Sequence, residues 1–102
     1  MLVILSKSPF FSDHKSLVKL VSKAVEKGES IAILYIQDAC TAVTSDRYLK
    51  KLAPLGIEVY ALEEDCEARG LLQKVKAGVK TVDYKGWVDL VMKKHDKIVS
   101  WT

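Results

Sequence analysis

The sequence predicts an α/β fold in which a parallel five-stranded sheet carries helices on both faces. Three observations predict it. Five short apolar runs, at residues 2–5, 31–36, 57–61, 80–84 and 97–101, alternate with stretches of helical character. Several runs are continuous and β-branched, as in "IAILYI", which suits strands covered on both faces rather than half-exposed ones. The strand–helix alternation persists to the last run, so consecutive strands are joined by right-handed crossovers.

The first run, "LVIL", leads to the clearest helix. Ser12 is placed to cap its start, and Leu17, Leu20, Val21, Ala24 and Val25 recur at helical spacing on one face. Gly28 is placed to end it in the left-handed conformation that side chains resist. Lys15, Lys19, Lys23 and Lys27 fall four apart and make a basic stripe on the exposed side. Such a stripe is a solvated face or a docking surface for RNA or an acidic partner. After the second strand, a helix is predicted over 42–52, with Thr41 or Asp38 near its start and Pro54 and Gly56 beyond its end. A short helix follows the third strand from Glu63 and stops at Gly70, and a fourth is predicted over 86–93 before the final strand.

A chain of 102 residues fits one domain, and with 49% apolar residues it can build a core without metal or disulfide staples. The net charge of +3 is mild. It permits an acidic partner or RNA without requiring either. The apolar start, "MLVIL", is too short for a signal-peptide core or a membrane span, so a cytoplasmic location with no membrane contact is expected. In that compartment Cys40 and Cys66 are expected as reduced thiols. No linker, repeat or low-complexity segment interrupts the chain.

In parallel sheets, sites form beyond the carboxyl ends of the strands. The relevant loops are therefore "SKSPFFSD", "QDACTAV", "LEEDC" and "YKG", and both cysteines fall on that edge. Cys40 precedes a predicted helix, whose unpaired amides favour a reactive thiolate, yet cysteines so placed also serve as packing groups. Cys66 has two readings as well. A helix start and Arg69 favour its thiolate, whereas Glu63, Glu64, Asp65 and Glu67 oppose it. Alternatively, if Gly70 closes the helix, Cys66 and Leu71 occupy the two positions that clasp a helix end by apolar contact. The acidic residues also complement the helix dipole. His14, His95 and the cysteines lack the paired spacing of a metal site, and no glycine-rich phosphate loop or nucleophile elbow occurs, so no metal or cofactor is expected. Trp87 and Trp101 are either core residues or interface anchors.

Several stretches taken together resemble the DsrH/TusB family of sulfur-relay proteins. They are "SPF" after the first strand, "IQDACTAV", "RYLKKL", "VYALEEDCEARGL", "VDYKGWVDLV" and the terminal "SW", in the same order along nearly the whole chain. The resemblance implies a DsrEFH-like three-layer α/β/α fold, flavodoxin-like in appearance. It implies a cytoplasmic subunit that assembles with DsrE/TusD-like and DsrF/TusC-like subunits. That complex passes persulfide sulfur toward 2-thiouridine at the tRNA wobble position, or in the DsrEFH version serves sulfur oxidation. In both, the principal sulfur-carrying cysteine belongs to the DsrE/TusD subunit. Aligned on Arg69-Gly70, that cysteine falls near Leu62, one turn before Cys66, and the first helix here lacks the cysteine that some DsrH members carry. Asp38, Asp65, Ala68, Arg69 and Gly70 match the family pattern and mark an edge expected to be structural or subunit-facing.

The expectation is thus a non-catalytic subunit of a sulfur-relay complex. Its rivals are a sulfur carrier or sulfurtransferase acting through Cys66 or Cys40, self-associated in place of related subunits, and a plain ligand-binding module on the same sheet. The lysine stripe and Trp101 are the candidate partner surface, with tRNA reached indirectly.

Overall fold

The five apolar runs form five strands: β1 (Leu2–Leu5), β2 (Ala32–Tyr35), β3 (Glu58–Leu62), β4 (Val79–Val82) and β5 (Ile98–Trp101). The computed structural model describes residues 1–6, 13–50, 52–94 and 97–101, with the side chains of 13–15, 46, 47, 93, 94 and 101 left undescribed. The sheet order is β4-β3-β2-β1-β5, and every neighbouring pair is parallel. Register places Leu2 opposite both Ala32 and Ile98, Ala32 opposite Glu58, and Val59 opposite Val79. Every residue of β1 and β2 is buried, which accounts for their unbroken apolar runs. The edge strand β4 instead reads polar at Lys80 and Thr81.

Helix α1 (Asp13–Glu26) follows β1. Leu17, Val21 and Ala24 are buried and Val25 is half-buried, whereas Leu20 lies at the margin of that face and stays 37% exposed. The predicted Ser12 cap lies outside the described residues. Gly28 ends the helix with φ +82°, and the N–H of Glu29 donates to the Ala24 carbonyl at 3.1 Å.

The helix predicted over 42–52 is corrected. A 3-10 helix runs over Gln37–Thr44 and a single α-helical turn, α2, follows at Asp46–Leu49. Its hydroxyls reinforce the tight turns: Thr41 Oγ1 donates to the Asp38 carbonyl at 3.0 Å and Thr44 Oγ1 to the Thr41 carbonyl at 2.8 Å. Helix α3 spans Glu63–Ala68 directly after β3. Helix α4 starts two residues earlier than predicted, at Tyr84–Asp89, because the Asp83 carboxylate caps it by accepting from the Gly86 N–H at 2.8 Å. It continues as a π-helical turn, Leu90–Lys94.

Strand order decides which face each helix covers. From β1 to β4 the chain steps across the sheet in one direction, so right-handed crossovers put α1, the 3-10 helix and α3 on one face. The return to β5 runs the opposite way and places α4 alone on the other. The cores agree. One joins Val3, Ile33 and Tyr35 to Leu17, Val21, Cys40, Val43 and Cys66. The other joins Leu2, Ile4, Leu34 and Leu62 to Leu90, with Trp87 and Val91 partly buried against it. The first is hereafter the closed face and the second the open face. Among the described residues, no helix is long and apolar enough to cross a membrane.

Candidate functional site

The carboxyl edge of β2 and β3 brings together the residues that the sequence singles out. β2 gives way to Gln37, which has φ +49°, a left-handed conformation uncommon for a residue with a side chain. Its N–H donates to Asp65 Oδ2 at 2.7 Å. A short hydrogen bond to a carboxylate offsets the cost of that backbone conformation. The turn aims the 3-10 helix back over the sheet and sets Asp38 opposite the end of α3.

Arg69 completes a second tie. Its Nε and Nη2 lie 3.3 and 3.2 Å from Asp38 Oδ1, and its Nη1 donates to the Asp65 carbonyl at 3.4 Å. Arg69 is therefore directed at Asp38, across the gap between the 3-10 helix and α3. Gly70 has φ +67° and closes α3: the Leu71 N–H donates to the Cys66 carbonyl at 2.8 Å and the Gly70 N–H to the Glu67 carbonyl at 3.0 Å. This is the two-bond Schellman ending, with Cys66 and Leu71 at its clasp positions. Leu71 packs against the core cluster that contains Cys66. Ala68, the last residue of α3, is exposed.

Cys40 and Cys66, from separate elements, adjoin one another under this latch. Both are free thiols with 0% exposure. Cys40 Sγ donates to the Tyr35 carbonyl at 3.6 Å. Burial pushes the Cys40 thiol far above the ordinary range, the Cys66 sulfur and Asp65 push the same way, and Arg69 offsets them in part. Burial also raises the Cys66 thiol, against the hydrogen bond from Cys40, with Asp65 adding to the rise and Arg69 opposing it. Both sulfurs are held as neutral thiols away from solvent. Among the described residues no group of three or more His, Cys, Asp or Glu side chains could hold a metal ion.

The remaining sequence candidates lie elsewhere. Lys19 and Lys23 on α1 and Lys27 just past its end are exposed, and the side chains of Lys15 and Trp101 lie outside the described residues. Glu64 Oε2 accepts from the Tyr84 N–H at 3.2 Å and so ties α3 to the start of α4.

One feature escaped the sequence reading. An apolar groove of about 530 Å³ runs along the open face between α4, its π-helical extension and β5, with Ile4 as its floor. The signal was present in "YKGWVDLVM". Trp87, Leu90 and Val91 pack toward the sheet, and Tyr84, Val88 and Met92 carry apolar side chains round to the outer surface. A helix that is apolar on so wide an arc is covered on more than one side.

Comparison with known proteins places the chain among relatives. The family described as DsrH like protein matches residues 7–97. Protein TusB of Escherichia coli O81 (strain ED1a) is 37% identical over 102 residues, covering 99% of this chain and 100% of that protein. Protein TusB of Shigella dysenteriae serotype 1 (strain Sd197) gives the same identity and coverage. Among solved structures, the ychN protein from E. coli superposes with a TM-score of 0.78 at 15% identity, over 98% of this chain and 97% of that one. The protein of unknown function MTH1491 from Methanobacterium thermoautotrophicum gives 0.79 at 15% identity, with the same coverage. The structural likenesses establish the three-layer α/β fold.

Proposed function

The chain belongs to the DsrH family, and from that premise we propose that it is a cytoplasmic subunit of a sulfur-relay complex that does not itself carry the sulfur. The process it serves is 2-thiolation of the tRNA wobble uridine, and its partners are DsrE/TusD-like and DsrF/TusC-like subunits. Full-length similarity to TusB proteins supports the relay assignment.

The non-carrying role rests on one observation: both thiols are buried at 0% exposure. In persulfide transfer, an acceptor thiolate attacks the outer sulfur of a donor persulfide. The new S–S bond forms as the donor's S–S bond breaks, and the donor sulfur leaves as a thiolate. The attacking group must be deprotonated and reachable along the S–S axis. Cys40 and Cys66 meet neither requirement, because burial excludes the donor and favours the protonated form. The relay thiol therefore belongs to a partner, and this chain contributes surface and shape.

Intact-protein mass spectrometry after incubation with a cysteine desulfurase and cysteine tests this, with the partner subunits present and absent. The expected result is no added sulfur on this chain and a persulfide on a partner. A persulfide on this chain that disappears in Cys66→Ser or Cys40→Ser, and passes to an acceptor, would instead make it a sulfur carrier.

A further inference from the structure

Cys40 and Cys66 are the chain's two cysteines, and the fold sets them side by side although they come from separate elements. The single S–H proton of Cys40 has two acceptors within reach, the Tyr35 carbonyl at 3.6 Å and the Cys66 sulfur. Covalent closure needs only that this sulfur–sulfur contact shorten to about 2 Å. What lies over the pair is weakly held. The Gln37 N–H to Asp65 tie and the Arg69 to Asp38 tie are both exposed to water. Helix α3 has six residues, and the 3-10 helix has no side-chain cap at its start. Short elements joined by solvent-exposed polar contacts open locally at less cost than the whole fold unfolds. Opening there frees both thiols together, and water restores their ordinary acidity.

We propose that Cys40 and Cys66 are a redox pair that closes into an internal disulfide when the chain meets a low-molecular-weight disulfide, tying the 3-10 helix to α3 beneath the latch. In the opened state Cys66 gives its proton to solvent and attacks one sulfur of the small disulfide. The new S–S bond forms as the old one breaks, and one small thiolate leaves. Cys66 reacts first because the hydrogen bond from Cys40 favours its thiolate. Cys40 then loses its proton to solvent and attacks the Cys66 sulfur, expelling the second small thiolate. Two cysteine thiols are oxidised, one disulfide is reduced to two thiols, and the two released protons neutralise the leaving groups. Reclosure buries the product. In a reducing compartment such a bond is transient and registers an excess of oxidised small thiol. The proposal stands apart from the relay reading, since it needs neither a persulfide nor a partner subunit.

The test incubates the reduced, folded chain in buffers of increasing oxidised-to-reduced glutathione ratio, with intact mass and peptide mapping as readouts. The expected product is a monomer lighter by two hydrogens, with the peptides of Cys40 and Cys66 cross-linked. The bond closes a loop of roughly 26 residues, from position 40 to position 66, and should raise the thermal midpoint by at least about 5 °C. Asp38→Asn loosens the latch and should speed oxidation several-fold with the same product. Cys40→Ala and Cys66→Ala, which keep the core apolar, should form no internal bond and show no rise in midpoint. Glutathione retained on either cysteine of the parent with no internal bond would overturn the proposal, as would a bond formed only between two chains. A midpoint lowered by the bond would make it a product of unfolding and overturn the proposal too. So would a parent and an Asp38→Asn variant that both stay reduced at every ratio while the urea-unfolded chain oxidises.

Discussion

The two faces of the sheet divide chemistry from surface. The closed face is covered by α1, the 3-10 helix and α3, and beneath them Leu17, Val21, Cys40, Val43 and Cys66 are buried completely. The open face has α4 and its π-helical turn, and there Tyr84, Val88, Met92 and Ile98 remain exposed around a groove. The difference follows from strand order, because the reversal after β4 leaves one helix to cover a five-stranded face. The reactive-looking groups are the inaccessible ones, and the accessible groups are chemically plain.

The largest expected effect contrasts one leucine with one methionine. Leu17→Ala opens a cavity under the closed face and should lower stability by about 3 kcal/mol in urea titration. Met92→Ser on the open face should change it by no more than about 0.5 kcal/mol. Similar losses at the two sites would erase the distinction between the faces.

Alkaline pH probes the closed face next. Burial raises the Cys40 and Cys66 thiols and the Tyr35 hydroxyl there, and on the open face it raises Tyr60 to about 12, where a hydrogen bond to Glu58 also contributes. The unfolded chain gives up these protons at their ordinary values, starting with thiols at 9.0, while the folded chain retains them. This contribution is full below pH 9.0 and is lost as pH rises through the raised values. The urea midpoint should therefore fall from pH 9.0 upward, and replacing both cysteines with alanine should flatten that fall. A midpoint rising with pH would mean that the thiolates are stabilised by the fold.

A smaller effect is expected at the clasp. Gly70 has φ +67°, and a methyl group there would meet nothing within 4 Å, so Gly70→Ala isolates the backbone penalty. It should cost about 1 kcal/mol, with Gly70→Asn milder. A loss of several kcal/mol would show that the clasp organises Cys66 and its surroundings as well as ending α3.

The latch between Asp38 and Arg69 should matter least to stability. The two side chains are 73% and 33% exposed, and Asp38→Asn should cost less than about 1 kcal/mol in thermal unfolding. A larger loss would make this tie part of the closed-face core.

Much of this was legible in the residues. The strands stood out because β1 and β2 are buried on both faces and admit no polar residue. Gly28 and Gly70 announced their helix ends because few other residues accept a left-handed turn. The 3-10 helix was misread because its buried residues, Ala39, Cys40, Ala42 and Val43, fit a period of three as well as the α-helical 3.6. Leu20 fitted the apolar stripe of α1, but burial depends on how far the neighbouring helix reaches. The contact between Cys40 and Cys66 joins elements that are distant in sequence, and no local pattern encodes it. The groove depends on strand order, which alternation alone does not specify.

The most direct test of the central claim is timed alkylation of the native chain with a small thiol reagent at neutral pH, with each cysteine followed by peptide mass. Cys40 and Cys66 should resist labelling while the protein is folded, and both should react at once in denaturant. Rapid labelling of either cysteine in the folded chain, with an apparent thiol pKa at or below the ordinary range, would contradict the account and return the sulfur chemistry to this chain.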